Sequence, residues 1–433
     1  MSPLRKRLSL LVIAALIIPL LTGCYDRIEL EGMAFVVAMG IDKGPDQTVD
    51  VTARIAIPSA MPGGDGGGGG NAGGGGSTQN SQGSKPITVR AKTLAEALTL
   101  LNATVERRVS LLHLTSILIS DSISRDGMIN YLRPLVRNRE VRRTLTITFT
   151  KGEAREVFLS NDPVVERSST RWQEAIYEVG RYSWLNATKK LHEFVVSLET
   201  PFEDPYGPVM TVNKAVKKQK ENSQNGSGDG GDGLEERMPS YKPGQLARLG
   251  GNNLDMIGAA IFRNDKLVTY LDGLDTRLLL MVRGEIARTQ MDFDDPLAKG
   301  KLVGVELKHA RSPEITVDFS KKPVQVRVRQ KLEGDLIGVQ GDADYILPKN
   351  MNQVEQSISK ELKERQTKLI SRLFHQYQAE PFGIFKKART QFATGQEMND
   401  IKFRELLKDA EVTTDVDLQL RRFGVQMAPV VGK

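Results

Sequence analysis

One cysteine in 433 residues, Cys24, sets the first limit on what this chain can fold into. With no second thiol, no internal disulfide can form, so every core must hold by packing alone, unlike a small secreted scaffold. Cys24 follows Arg5-Lys6-Arg7 and an almost purely apolar run from Leu8 to Leu21, the charged, apolar, small-residue order of a secretory signal. As a helix rising ~1.5 Å per residue that run would reach roughly 20 Å, short of a ~30 Å hydrocarbon core, which suits a signal better than a permanent span. Length suggests two or three domains of ~100 to 200 residues, each able to bury a core.

Leu21-Thr22-Gly23-Cys24 resembles a bacterial lipobox, in which small residues before the cysteine fit the signal peptidase. The expectation is that residues 1–23 are removed and that the Cys24 thiol takes a diacylglycerol group; the plainer alternative is a stray cysteine behind an ordinary signal. Two acyl chains at ~0.8 kcal/mol per buried CH2 make a stable anchor where one is marginal. Losing Arg5, Lys6 and Arg7, and no acids, lowers the formal charge by three, from +7 to +4. With 53 acids among 60 bases and only 6% aromatic residues, a nucleic-acid surface of basic and aromatic side chains is not expected.

Along the chain, the apolar run Met33 to Asp42 predicts a buried strand, and the alternation of Val49, Val51, Ala53, Ile55 and Ile57 predicts its hairpin partner. Residues 58–86 follow, with 11 glycines between 63 and 76. Such a tract cannot bury enough apolar area to offset its ordering entropy, and it lacks the strand, helix and Gly-Lys-Ser/Thr ending of a phosphate cradle. Thr93 and Glu96 form a capping box for a helix expected to run to about Arg108. A strand over Leu114 to Ser120, a helix over Ser124 to Val136 and a strand over Thr144 to Thr150 continue an α/β layer. Glu153 to Leu198 reads as helical and Val209 to Val216 as a strand. Residues 217–252 are polar and glycine-rich, a linker; their Gly-Asp spacing over 226–233 is too short for calcium-binding repeats. Asp255 to Phe262 and Lys266 to Leu271 form a hairpin about Asn264-Asp265, with a short helix over Thr276 to Val282. Val324, Val326 and Val328 alternate with Gln325, Arg327 and Arg329, a half-exposed strand whose basic outer face is solvated or meets an acidic partner or anionic lipid. A long helix is expected over 350–378, its stripe from Met351 through Val354, Ile358, Leu362, Leu369 and Leu373 to Tyr377 packing on a sheet rather than on a partner helix. Val412 to Arg421 alternates as a closing strand.

Catalytic constellations are missing from the sequence. His192-Glu193 begins the metalloprotease pattern of two histidines a helical turn apart, but Val196 occupies the second histidine position. His113, His192, His309 and His375 are scattered. No Gly-x-Ser-x-Gly elbow occurs, and acid pairs such as Asp294-Asp295 or Asp342 with Asp344 suit capping and solvation. Neither an enzyme nor a cofactor site is expected.

Several segments together resemble the Ger(x)C family, the lipoprotein C subunits of nutrient germinant receptors in endospore-forming bacteria. Cys24 followed by Tyr25-Asp26-Arg27-Ile28-Glu29-Leu30 is similar to that family's start, with Tyr25 where tryptophan is usual. Gly40-Ile41-Asp42-Lys43 is similar to its first-strand ending, and Arg137-Asn138-Arg139-Glu140-Val141-Arg142 to its basic-acidic turn. Most specific is Gly258-Ala259-Ala260-Ile261-Phe262 with Asp265-Lys266-Leu267-Val268 and Tyr270-Leu271-Asp272-Gly273, where Thr269 and Tyr270 replace glycine and tryptophan.

The resemblance implies an α+β fold of three domains, each a mixed or antiparallel curved sheet packed with helices. The boundaries fall at 24–216, with the insert 58–86, then linker 217–252, a middle domain 253–310 and a C-terminal domain 311–433. It also implies a non-enzymatic subunit anchored through Cys24 on the outer face of the spore's inner membrane, acting with integral-membrane A and B subunits. Arg133, Arg137, Arg139 and Arg142 are the basic face expected to meet such partners. The rival expectation is a solute-binding lipoprotein of an ABC importer, which needs two lobes about a ligand cleft.

Overall fold

The computed structural model describes residues 29–56, 84–166, 169–218, 240–392 and 401–422, with positions 7, 394 and 397. Cys24, the expected signal, most of the glycine-rich insert and residues 219–239 lie outside the described residues. No described helix is long and apolar enough to cross a membrane.

The apolar run after Glu29 forms β1 (Met33–Lys43), the centre of a nine-stranded sheet. On one side β1 pairs antiparallel with β2 (Val49–Ala56), which pairs with β3 (Ser84–Ala91) at the edge. The last residues of the expected insert, 84–86, are thus already strand. On the other side β4 (Arg108–Ser110) and β5 (Ser116–Ile119) lie end to end, both parallel to β1. Beyond them β6 (Thr146–Thr150) and β7 (Tyr206–Val212) continue parallel, and β8 (Leu254–Arg263) and β9 (Lys266–Leu271) close the sheet as an antiparallel hairpin. All residues of β5, β6 and β7 are buried, as parallel strands covered on both faces require.

Helices Leu94–Asn102, Asp121–Asp126, Ile129–Arg137 and Leu191–Glu199 cover one face, packing Leu101, Ile123, Leu132 and Phe194 against Val36, Ile117 and Phe149. Helices Ala154–Ser160 and Ser169–Ser183 cover part of the other, with Phe158 and Tyr177 against Ala38, Leu118 and Met210. Three helical expectations change in extent. The first helix stops at Asn102, whose Oδ1 accepts the Val109 amide at 2.8 Å and turns the chain into β4. The 124–136 helix is two, divided at Gly127, where φ is +116° and a Cβ would stand 2.9 Å from the Asp265 carboxylate. The stretch 153–198 is three helices.

The second sheet has the order β10 (Thr289–Asp294), β11 (Leu302–His309), β13 (Gln325–Val339), with β12 (Glu314–Asp318) and β14 (Glu411–Arg422) also paired to β13. β11 and β12 share one side of the long β13, and β14 runs parallel along the other. One face receives the helix Pro348–His375, which buries Val354, Ile358, Leu362, Leu369 and Leu373 as the stripe predicted. Within that apolar interface Gln366 and Gln330 bond to each other at 3.1 Å, a polar pin that fixes helix against strand.

The middle domain expected over 253–310 has no sheet of its own. Its hairpin is the edge of the first sheet, because β8 finds a pairing partner in β7, while β10 and β11 belong to the second. The helix Gly273–Arg283 bridges the two: Leu278 to Val282 enter a single core that includes Tyr206 and Ile261 of the first sheet and Val305, Val326 and Phe374 of the second. The α+β class and the mixed sheets agree with the sequence reading.

Candidate docking surface

β1, β5 and β6 are parallel and begin at the same end of the first sheet. The helix Ile129–Arg137 runs back from the other end, so its C-terminus and the loop into β6 return to the end where β1 starts. Arg133 and Arg137 stand one helical turn apart, opposite the buried Leu132 and Leu135, and Arg139, Arg142 and Arg143 follow on the loop. All five are exposed, and none forms an ion pair among the described residues. Glu140, the acid in their midst, turns inward: its Oε2 accepts the Leu111 amide at 2.7 Å and the Ser110 hydroxyl at 3.2 Å. The four arginines expected to form a basic face are therefore brought together, beside Arg107 and Arg108 at β4. Next to them an open groove of about 350 Å³ is lined by Arg142, Arg181 and Lys190 but also by Glu174 and Glu178.

The other basic face expected from sequence, on β13, is different. Arg329 lies in register with Glu314 on β12 and Asp415 on β14. Along the same strand Lys331 pairs with Asp417, and Glu333 with Lys308 and Arg421. Acids from neighbouring strands thus stand in register beside this face, although Glu314 pairs with Arg311 and Asp415 with Lys363, and Arg327 and Arg329 form no ion pair among the described residues.

A buried charged junction, unread in the sequence, fastens the two sheets. Asp204, fully buried in the turn before β7, receives both Nη atoms of Arg404, with Nη2 to Oδ1 at 2.6 Å, and the amides of Asn264 at 2.9 Å and Glu380 at 2.8 Å. Glu203 holds Arg283 at 3.1 Å and Lys386 at 2.7 Å. Glu285, held near 2 despite its burial by Arg283 and Lys189, accepts the Tyr206 hydroxyl at 2.6 Å. Burial raises the Glu380 carboxyl well above the ordinary carboxylate range, and its oxygens accept the Gly383 and Ile384 amides. These acids serve internal bonds rather than an open site.

The histidines stay apart, and no cluster of three or more His, Cys, Asp or Glu able to hold a metal exists among the described residues. His113 meets the Phe35 ring at 4.5 Å, His375 Nε2 lies 3.0 Å from the Ala410 carbonyl, His192 is exposed, and burial lowers the basicity of His309. Asp295 binds Tyr345 and the Leu297 amide, and Asp344 the Ile346 amide, both as turn acceptors.

The motif residues that carried the resemblance perform folding work. Gly258 has φ +92° and a Cβ there would stand 2.4 Å from the Leu271 carbonyl; Asp272 caps the helix Gly273–Arg283 by accepting the Asp275 amide at 2.8 Å. Asp265 Oδ2 accepts the Ile129 amide, and Tyr270 donates to Asp121 at 2.8 Å, docking the hairpin on the helices beneath it.

Two family models match in order: the spore germination protein N-terminal domain over residues 26–212, and the spore germination B3/GerAC-like C-terminal domain over residues 257–424. The chain belongs to the Ger(x)C family. Among relatives in Bacillus subtilis (strain 168), YfkR, which carries a provisional spore germination name, is 25% identical over 94% of this chain and 95% of its own. Spore germination protein B3 is 21% identical over 93% and 95% respectively. The crystal structure of the GerBC protein superposes with a TM-score of 0.51 over 88% of this chain and 96% of that one; at 16% identity the likeness shows the fold. The Ger(x)C boundary between the two models, residues 212 to 257, runs from the end of β7 into β8 of one continuous sheet.

Proposed function

We propose that this Ger(x)C protein is a non-enzymatic, lipid-anchored subunit of a nutrient germinant receptor, required for spore germination. In this reading diacylglyceryl Cys24 holds it on the outer face of the spore's inner membrane, where it docks with integral-membrane A and B subunits. The observation that carries the reading is the ordered match of both family models, supported by relatives with spore germination names that align over nearly their whole length. The uncompensated arginines stand at the end of the fold where the chain arrives from Cys24, so the anchored end is also the end with charge to offer. The ABC-importer reading draws no support from the architecture, since the two sheets share one core and a buried charged junction rather than flanking a cleft.

Membrane fractions washed without detergent test the anchor: wild type is retained and Cys24→Ala is released, whereas retention of the variant would refute lipidation as the hold. Charge reversal at Arg133, Arg137, Arg139 and Arg142 tests docking. Reduced recovery of the A and B subunits on co-purification is expected, and unchanged recovery would remove that surface from the docking role.

A further inference from the structure

Five exposed guanidinium groups on one short stretch, none of them in an ion pair among the described residues, stand beside the entry of the chain. We infer that Arg133, Arg137, Arg139, Arg142 and Arg143 rest on anionic lipid headgroups around the anchor. This rests on the reading that Cys24 is lipidated.

The placement follows from connectivity. Residues Met33–Phe35 of β1 pair with Arg108–Ser110 of β4, and Glu140 fastens the arginine loop to Ser110 and Leu111 at the end of β4. The loop is thus held against the first strand of the fold. Glu29 lies only five residue steps from Cys24; at ~3.3–3.6 Å per residue, the Cys24 backbone lies no more than about 18 Å from Glu29. With a headgroup layer several ångströms deep on each leaflet and a screening length of ~8–10 Å at physiological salt, this end lies within reach of surface charge.

The charge balance selects the partner. The exposed acids at this end are Glu29, Glu31 and Glu106, with Glu174 and Glu178 in the groove beside Arg142, and Glu140 is spent on internal bonds; against them stand seven arginines, counting Arg107 and Arg108, with Arg181 and Lys190 in the same groove. Arg137 alone sits in the last turn of its helix, where the macrodipole accounts for a cation. The four others need another explanation. Guanidinium groups bond phosphate in fork geometry, and exposed arginines spread over a helix end and a loop suit many mobile headgroups better than one fixed ligand. Arg327 and Arg329, exposed on β13 of the second sheet with Glu314 and Asp415 in register beside Arg329, provide the internal control.

The test uses the mature chain from residue 24 with Cys24→Ser, so that no acyl chain contributes, and sedimentation with vesicles. Binding to phosphatidylcholine vesicles containing phosphatidylglycerol is expected, with none to phosphatidylcholine alone and loss at about 0.5 M salt, where screening falls to about 4 Å. Replacing Arg133, Arg139, Arg142 and Arg143 together by Gln should weaken that binding on the order of 100-fold, while Arg327→Gln with Arg329→Gln leaves it unchanged. Equal binding to both vesicle types, or wild-type binding by the fourfold variant, would overturn the inference. So would absence of wild-type binding to the phosphatidylglycerol vesicles, whatever the fourfold variant does to A and B subunit recovery. Failure of the anchor itself is read separately, as absence of the diacylglyceryl mass on Cys24 of protein taken from cells.

Discussion

The central strands of the first sheet are buried on both faces and the second sheet on one, and that difference decides where each can meet the outside. In the first, β5, β6 and β7 carry apolar and small polar residues facing two layers of helices, so its chemistry is pushed to the ends of strands. In the second, β13 alternates buried Val326, Val328 and Leu332 with exposed Arg327, Arg329 and Lys331, and its open face has cross-strand acids in register, Asp417 pairing with Lys331. A sheet face open to water can neutralise itself by register. A loop at a strand end cannot, and there the arginine charge remains for a partner.

The largest effects should come from the doubly covered sheet and its fastening. Phe149→Ala removes a fully buried ring packed at 4.6 Å from Phe262 and 5.3 Å from Phe194. It should cost about 4 kcal/mol in urea unfolding; a loss near zero would mean the two-faced core is not the stability centre. Asp204→Ala leaves Arg404 and two amides without their acceptor and should cost about 3 kcal/mol, with the second sheet unfolding before the first. A single unchanged transition would contradict the junction's role.

Asp42 provides a pH-dependent test. Burial raises its carboxyl from 3.8 to about 6, against the pull of the Arg155 and Ala154 amides that it accepts. Because the folded value lies above the unfolded one, the group's stabilising contribution is complete below about pH 4 and is lost as pH rises through 6. Asp42→Asn should therefore remove a stability decrease of about 3 kcal/mol over that window, and an unchanged pH profile would show the carboxyl to be better solvated than its burial implies. The smallest effect belongs to the open face: Glu333→Gln removes pairs to Lys308 and Arg421 and should leave the urea midpoint within experimental scatter at any salt. A clear shift would mean that face is a structural network rather than a solvated one.

How far the sequence revealed these regions follows the same contrast. Periodicity located β1, β2, β6, the β8–β9 hairpin, the long helix and β14, because their apolar patterns are long and regular. It left β10, β11 and β12 unread and ended β13 near Arg329, where Gly334 and Gly338 dilute the alternation that continues to Val339. Local pattern also could not tell which sheet the hairpin joins, since β7 and β8 pair across the linker. For the candidate surface, the arginine run was legible as composition. That Glu314, Asp415 and Asp417 stand in register beside the other basic face depends on long-range strand pairing. The charged junction was invisible because Asp204, Glu380 and Arg404 meet only through the fold.

The germinant-receptor role is tested most directly on purified spores lacking the gene, challenged with a panel of nutrients and complemented with wild type or Cys24→Ala. The account predicts loss of germination with one nutrient class, restored by wild type and not by Cys24→Ala. Loss of germination restored equally by the variant would contradict the anchor, and a normal response to every nutrient would contradict the receptor role itself.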